Sequence, residues 1–121
     1  MNKSFNKIIG NKGEDIACKY LEKSGYKIIE RNYHYSKNSE IDIIALDKDC
    51  VVFLEVKTRS NMNYGHPFEA INKQKLQKIR SAAIKFMSEN ELDSKSCRID
   101  GIAIVGLESP TIEHIKNLEI Y

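Results

Sequence analysis

The chain has 121 residues, 41% of them hydrophobic, enough for one domain (1–121) with its own core. Its 19 Lys and Arg nearly balance 17 Asp and Glu, leaving a net charge of +2, so composition alone does not mark a nucleic-acid binder. No stretch approaches the roughly 20 apolar residues of a membrane helix, and the opening MNKSFNKIIGNKGE lacks the apolar core of a secretory signal; a cytoplasmic protein with no membrane partner is expected.

The first element is helical, from about Gly13 to Ser24. Ile16, Ala17, Tyr20 and Leu21 recur along one face of a 3.6-residue period. Gly25 stands at the expected C-terminal position, with Lys19 and Lys23 near the negative helix end. Glu14 falls in the first turn of this helix and flanks the apolar stripe. Tyr26–Tyr35 is rich in β-formers and reads as a strand. Glu40–Leu46 and Val51–Lys57 are two stronger strands, and the polar Asp47-Lys48-Asp49 between them makes a hairpin. Asn61–Ala70, with Gly65 and Pro67, is a loop. A long helix follows from about Asn72, its N-cap, to Glu89, with Leu76, Ile79, Ala83 and Phe86 on the apolar face. Arg98–Val105 is a further strand, and Thr111–Ile115 a candidate last one. The order α-β-β-β-α-β-(β) specifies an α/β fold, a mixed sheet flanked by helices.

The hairpin carries the chemistry. Side chains alternate along a strand, so Glu40, Asp42, Ile44 and Leu46 share one face, as do Val51, Phe53, Glu55 and Lys57. A two-residue turn at Lys48-Asp49 sets Leu46 opposite Val51, Ile44 opposite Phe53, Asp42 opposite Glu55 and Glu40 opposite Lys57. A one-residue slip would set apolar against charged residues, so the core favours this register. Opposed carboxylates among apolar neighbours repel and need a positive partner. Lys57 is one candidate. A divalent cation is the other, and two carboxylates with a backbone carbonyl and waters suit Mg²⁺ or Mn²⁺. A structural salt-bridge cluster, including a Glu40–Lys57 pair, explains the pattern as well. Cys18, Cys50 and Cys97, and likewise His34, His66 and His114, are too dispersed for a disulfide framework, a zinc site or a Cys/His nucleophile.

GNKGEDIACKYLEKSGYKIIERNYHY, SEIDIIALDKDCVVFLEVKTRS, YGHPFEAINKQKLQKI and RIDGIAIV follow one another with spacing that resembles the YraN family of uncharacterised bacterial proteins, along nearly the whole chain. That family is similar to archaeal Holliday-junction resolvases and, more widely, to restriction-endonuclease-like PD-(D/E)xK enzymes. The resemblance implies a restriction-endonuclease-like domain in which Asp42 takes the PD aspartate, Glu55 and Lys57 form the E-x-K pair, and Glu14 is the supporting acid of the first helix. It also implies a metal held by Asp42 and Glu55, a DNA substrate and, by analogy with resolvases, a homodimer. Two departures stand out. Ser39-Glu40-Ile41-Asp42 replaces the common Gly-Glu-Ile-Asp, which alters the backbone before the site, and Arg98-Ile99-Asp100-Gly101-Ile102 replaces Arg-Phe-Asp-Val-Val, where Gly101 would loosen the strand.

On this reading the chain is a metal-dependent endonuclease that hydrolyses DNA phosphodiesters, branched or junction DNA included. Lys57 would orient the attacking water or stabilise negative charge, and the Val56 carbonyl would add a metal ligand. Arg59, Lys73 and Lys75, with Lys78 and Arg80, would contact nucleic acid, Lys73 beside the amides of a helix N-terminus. Tyr33, Tyr35 and Tyr64 are candidates for base stacking, with packing the commoner role. Asp100 fits either a site acid or a buried hydrogen-bonded aspartate. The alternatives are a non-catalytic nucleic-acid-binding module on a nuclease fold, and a purely structural cluster.

Overall fold

The runs IDIIA, VVFLEV and IAIV are apolar on both parities, which suits strands covered on both faces rather than on one. In the computed structural model they form the centre of a five-stranded sheet. The structure describes residues 3–37, 39–63, 65–106 and 108–118, with side chains from Gly10 onward; Tyr64 lies outside the described residues. The elements are α1 (Lys3–Lys23), β1 (Lys27–Ser36), β2 (Ser39–Asp47), β3 (Cys50–Arg59), α2 (Lys73–Glu89), β4 (Ser96–Val105) and β5 (Thr111–Ile115). The strands lie in chain order. Among the described strands only β3 and β4 run parallel, joined through α2; the other neighbours are antiparallel. The fold is therefore α/β, with a mixed sheet and two helices.

Each helix covers one face. Ala17, Cys18 and Leu21 of α1 pack on Ile43, Ala45, Val52, Leu54, Ile102 and Ile104. Leu76, Ile79, Ala83 and Phe86 of α2 pack on Ile41, Ile44, Val51, Phe53 and Ile99. The α2 boundaries follow the sequence closely, and Asn72 caps the helix by accepting the Lys75 N–H at 2.8 Å. At the end of α1, Tyr26 N–H bonds Leu21 O and Gly25 N–H bonds Glu22 O, with Gly25 at φ 93°; this is the left-handed closure that glycine favours.

The start of α1 corrects the sequence reading. The helix begins at Lys3, so Glu14 is mid-helix and gains nothing from the N-terminal dipole. Gly10 and Gly13 lower helix propensity and made the earlier stretch look non-helical. Gly13 has a packing role: a Cβ there would overlap Thr58 Oγ1, so its absence lets α1 close onto β3. Gly101 likewise does not loosen β4, which runs unbroken. A Cβ at Gly101 would meet Phe68 Cε1 at 2.9 Å and Leu118 Cδ1 at 3.0 Å. Phe68 belongs to a 3₁₀ helix, Pro67–Ala70, inside the expected loop. Within the described residues no helix is long and apolar enough to cross a membrane.

Candidate metal centre

The hairpin turn is the two-residue one expected, and the register pairs Leu46 with Val51 and Ile44 with Phe53. The ladder then stops at Ile43–Leu54. Asp42 and Glu55 are thus not a hydrogen-bonded strand pair, which corrects the simple extrapolation. Asp42 Oδ2 instead accepts the Val56 N–H at 2.8 Å, taking a place that a backbone carbonyl fills elsewhere in a ladder. Backbone N–H groups lie in the plane of a sheet, so the carboxylate occupies the gap where β2 and β3 part.

Alternation breaks at the same point. Ile41 packs with the α2 cluster and Ile43 with the α1 cluster, so residues two apart lie on opposite faces. The break has a counterpart in β1, where Asn32 adopts φ 54° and the register passes from Arg31–Ile43 to Tyr33–Ile41. Asn32 and Asp42 thus drop out of the ladder together, with no register shift, where β2 leaves strict alternation. Ser39 is buried beside the register shift between His34 and Ser36 of β1.

On β3 the alternation is intact, and Glu55 and Lys57 share the α2 side with Phe53. Glu55 is only 3% exposed. Its Oε1 lies 3.3 Å from Lys57 Nζ and 3.5 Å from Lys75 Nζ, while the buried Oε2 has no hydrogen-bond partner among the described residues. Burial raises the Asp42 pKa well above the ordinary carboxylate range; the charge of Glu55 adds to this, the Val56 N–H offsets part of it, and Glu14 and Glu40 add further repulsion. Glu14 is held by Arg31 at 3.5 Å, and its pKa is also raised, burial outweighing the guanidinium. With its amide nitrogen turned toward them, Asn32 reaches Glu40 Oε1 at 3.0 Å and Glu14 Oε1 at 3.2 Å. The Glu40–Lys57 pair does not form: Lys57 goes to Glu55, and Glu40 faces Asn32 and His34.

These residues fit a small, hard cation. Among the described residues no three His, Cys, Asp or Glu side chains converge on one point, so an all-protein cage is not offered. Mg²⁺ does not need one; it takes one or two carboxylates and keeps several waters. An orphaned, buried oxygen on Glu55 beside a carboxylate that resists ionisation is the environment a divalent cation relieves.

The family model described as "Uncharacterised protein family UPF0102" matches residues 13–104. The chain belongs to the UPF0102 family. A UPF0102 protein of Chloroherpeton thalassium is 45% identical over 104 residues, covering 86% of this chain and 80% of that one. A UPF0102 protein of Trichlorobacter lovleyi is 43% identical over 116 residues, covering 93% and 90%. One from Pseudarthrobacter chlorophenolicus is 43% identical over 113 residues, covering 92% and 85%.

The expected basic surface of this UPF0102 chain divides. Lys73 is exposed at the first residue of α2, whereas Arg59 folds back so that its guanidinium donates to Thr58 O at 3.1 Å. Lys75 is drawn into the centre by Glu55. Tyr33 packs edge-on against Phe86 and donates to Glu89 at 2.7 Å, while Tyr35 is exposed. Asp100 is fully buried on the α1 side, accepting from Arg98 Nε, the Asn117 N–H and His114 Nε2, whose Nδ1 meets the Tyr20 hydroxyl at 2.9 Å. It is the buried hydrogen-bonded aspartate of the two roles open to it. A cleft of ≈340 Å³ between α2 and the start of β4, with Phe53, Met87 and Ile99 on its wall, contains none of the carboxylates of the centre. The sequence reading missed Asn32 and the Lys75–Glu55 link. The first has no local signal, since the buried Ile41, Ile43 and Ile44 on the neighbouring strand do not report their faces; the second depends on where α2 docks.

Proposed function

We propose that this UPF0102 chain is a metal-dependent endonuclease that hydrolyses phosphodiester bonds in DNA, on a restriction-endonuclease-like fold. The observation that carries the reading is the buried, unpartnered Glu55 Oε2 beside Asp42. The E-x-K spacing and the helix–meander–helix–strand order support it. Asp42 and Glu55 are the residues that would hold Mg²⁺ or Mn²⁺. When bound, such an ion supplies Lewis-acid polarisation of a phosphoryl oxygen and lowers the pKa of water.

The chain's own groups account for the rest. Two carboxylates and two ammonium groups, Lys57 and Lys75, balance formally. A divalent cation then leaves an excess of positive charge, matched to the negative charge that develops on a phosphodiester under attack. Lys57, on the same strand face as Glu55, is the group to orient the attacking water and meet that charge. The Val56 N–H fixes the Asp42 carboxylate through Oδ2. Lys73, exposed on the first turn of α2, offers a charge and nearby amides to a flanking phosphate.

The test is cleavage of linear and branched DNA by the purified chain with Mg²⁺ or Mn²⁺. Wild type is expected to cut, and Asp42→Asn and Glu55→Gln to lose about 100-fold or more while keeping a native circular-dichroism spectrum. Full activity in Asp42→Asn overturns the proposal. Tight DNA binding by a wild type that never cuts would instead establish the non-catalytic binding module.

A further inference from the structure

We propose that Lys75 is a positioning residue for Glu55, not a peripheral phosphate contact; this rests on the metal-site reading above. Both ammonium groups at Glu55 sit on the same oxygen, Lys57 Nζ at 3.3 Å and Lys75 Nζ at 3.5 Å from Oε1. They arrive from different elements. Lys57 is two residues along β3, where its flexible stem alone would let the pair swing together. Lys75 reaches the carboxylate from α2, and its backbone is fixed twice over: its N–H is bonded to Asn72 Oδ1 at 2.8 Å, and the next residue, Leu76, is buried in the core. Two ammonium groups paired with one oxygen bias the carboxylate toward them and leave Oε2, which has no hydrogen-bond partner among the described residues, as the free acceptor. A ligating carboxylate is commonly oriented by polar partners outside the metal's own ligand set.

Lys75 differs in its surroundings from Lys73, two residues before it. Lys73 is exposed, with no ion pair among the described residues, and suits an outer phosphate. Lys75 is partly buried, and its charge is already committed to Glu55. On simple electrostatics, removing a cation from beside the site should tighten binding of another cation. If ordering of Glu55 matters more, the opposite sign follows. That difference in sign makes the test decisive.

Mn²⁺ binding to the full chain is measured by calorimetry for wild type, Lys75→Met and Lys75→Arg, alongside DNA affinity in metal-free buffer across a range of salt. Lys75→Met keeps the apolar stem and removes the ammonium. It is expected to weaken Mn²⁺ binding about tenfold or more, with Lys75→Arg restoring most of the affinity and the salt dependence of DNA binding unchanged. Unchanged or tighter Mn²⁺ binding by Lys75→Met overturns the assignment. So does a salt slope reduced by about one with Mn²⁺ affinity intact, which marks a phosphate contact. Absence of Mn²⁺ binding by wild type overturns the metal-site reading itself, and the role of Lys75 with it. Should Lys75→Met unfold, Lys75→Gln replaces it under the same criteria.

Discussion

Among the described residues Asp42 has one hydrogen-bond donor, the Val56 N–H, and Glu55 for a neighbour. Asp100 has donors from His114, Asn117 and Arg98, and their combined effect outweighs its burial and holds its pKa below the ordinary value. The two aspartates therefore give opposite pH behaviour. Asp42, with a raised pKa in the fold, stabilises the metal-free protein below the ordinary aspartate pKa, and that contribution is lost as pH rises through the folded value. Asp42→Asn keeps an acceptor for Val56 and removes the charge, so at pH 8 without metal it is expected to be more stable than wild type by about 1 kcal/mol or more in urea unfolding. Asp100, with a depressed pKa, contributes fully above the ordinary value, and its contribution falls away as pH drops through the folded one. Asp100→Asn is expected to cost about 3 kcal/mol at pH 7, because it strips a buried network of its acceptor charge, and the difference from wild type should narrow in unfolding measured near pH 2–3. A pH-independent difference would contradict this account.

Elements sit where side chains let them. The approach of α1 to β3 depends on a missing Cβ at Gly13, since any side chain there meets Thr58. Gly13→Ala is expected to destabilise by about 1–3 kcal/mol despite its better helix propensity. Thr58→Ala in the same chain should recover most of that loss, because the overlap is chiefly with the Thr58 hydroxyl. Thermal unfolding of the double-mutant cycle measures it, and strictly additive effects would show that the helix docks elsewhere. The same contact explains what the sequence hid. From Gly13 on, the apolar period of α1 was legible; before it, Gly10 and a polar run obscured the helix, which begins at Lys3. The β2–β3 register was legible because only one alignment sets apolar against apolar. The parting of the strands at Asp42 was not, because Ile41, Ile43 and Ile44 are all fully buried and apolar residues on a doubly covered strand do not report which face they occupy.

Across the whole molecule, the acids and ammonium groups of the centre come from β2, β3 and the first turn of α2, with Glu14 contributed from α1 on the opposite face. Pattern alone placed Glu55 and Lys57 together, since they are two apart on one regular strand. The convergence of Lys75 on Glu55 needed the docking angle of α2, which no local period encodes. Net charge was uninformative for the same reason: +2 overall conceals two ammonium groups gathered on one buried carboxylate. On the proposed function this carboxylate and Asp42 share a divalent cation. Anomalous diffraction from crystals of the chain soaked in Mn²⁺ tests it most directly. A peak is expected between Asp42 and Glu55 Oε2 that is absent in Asp42→Asn crystals; no peak there, with Glu55 still paired with Lys57 and Lys75, would rule out a shared cation.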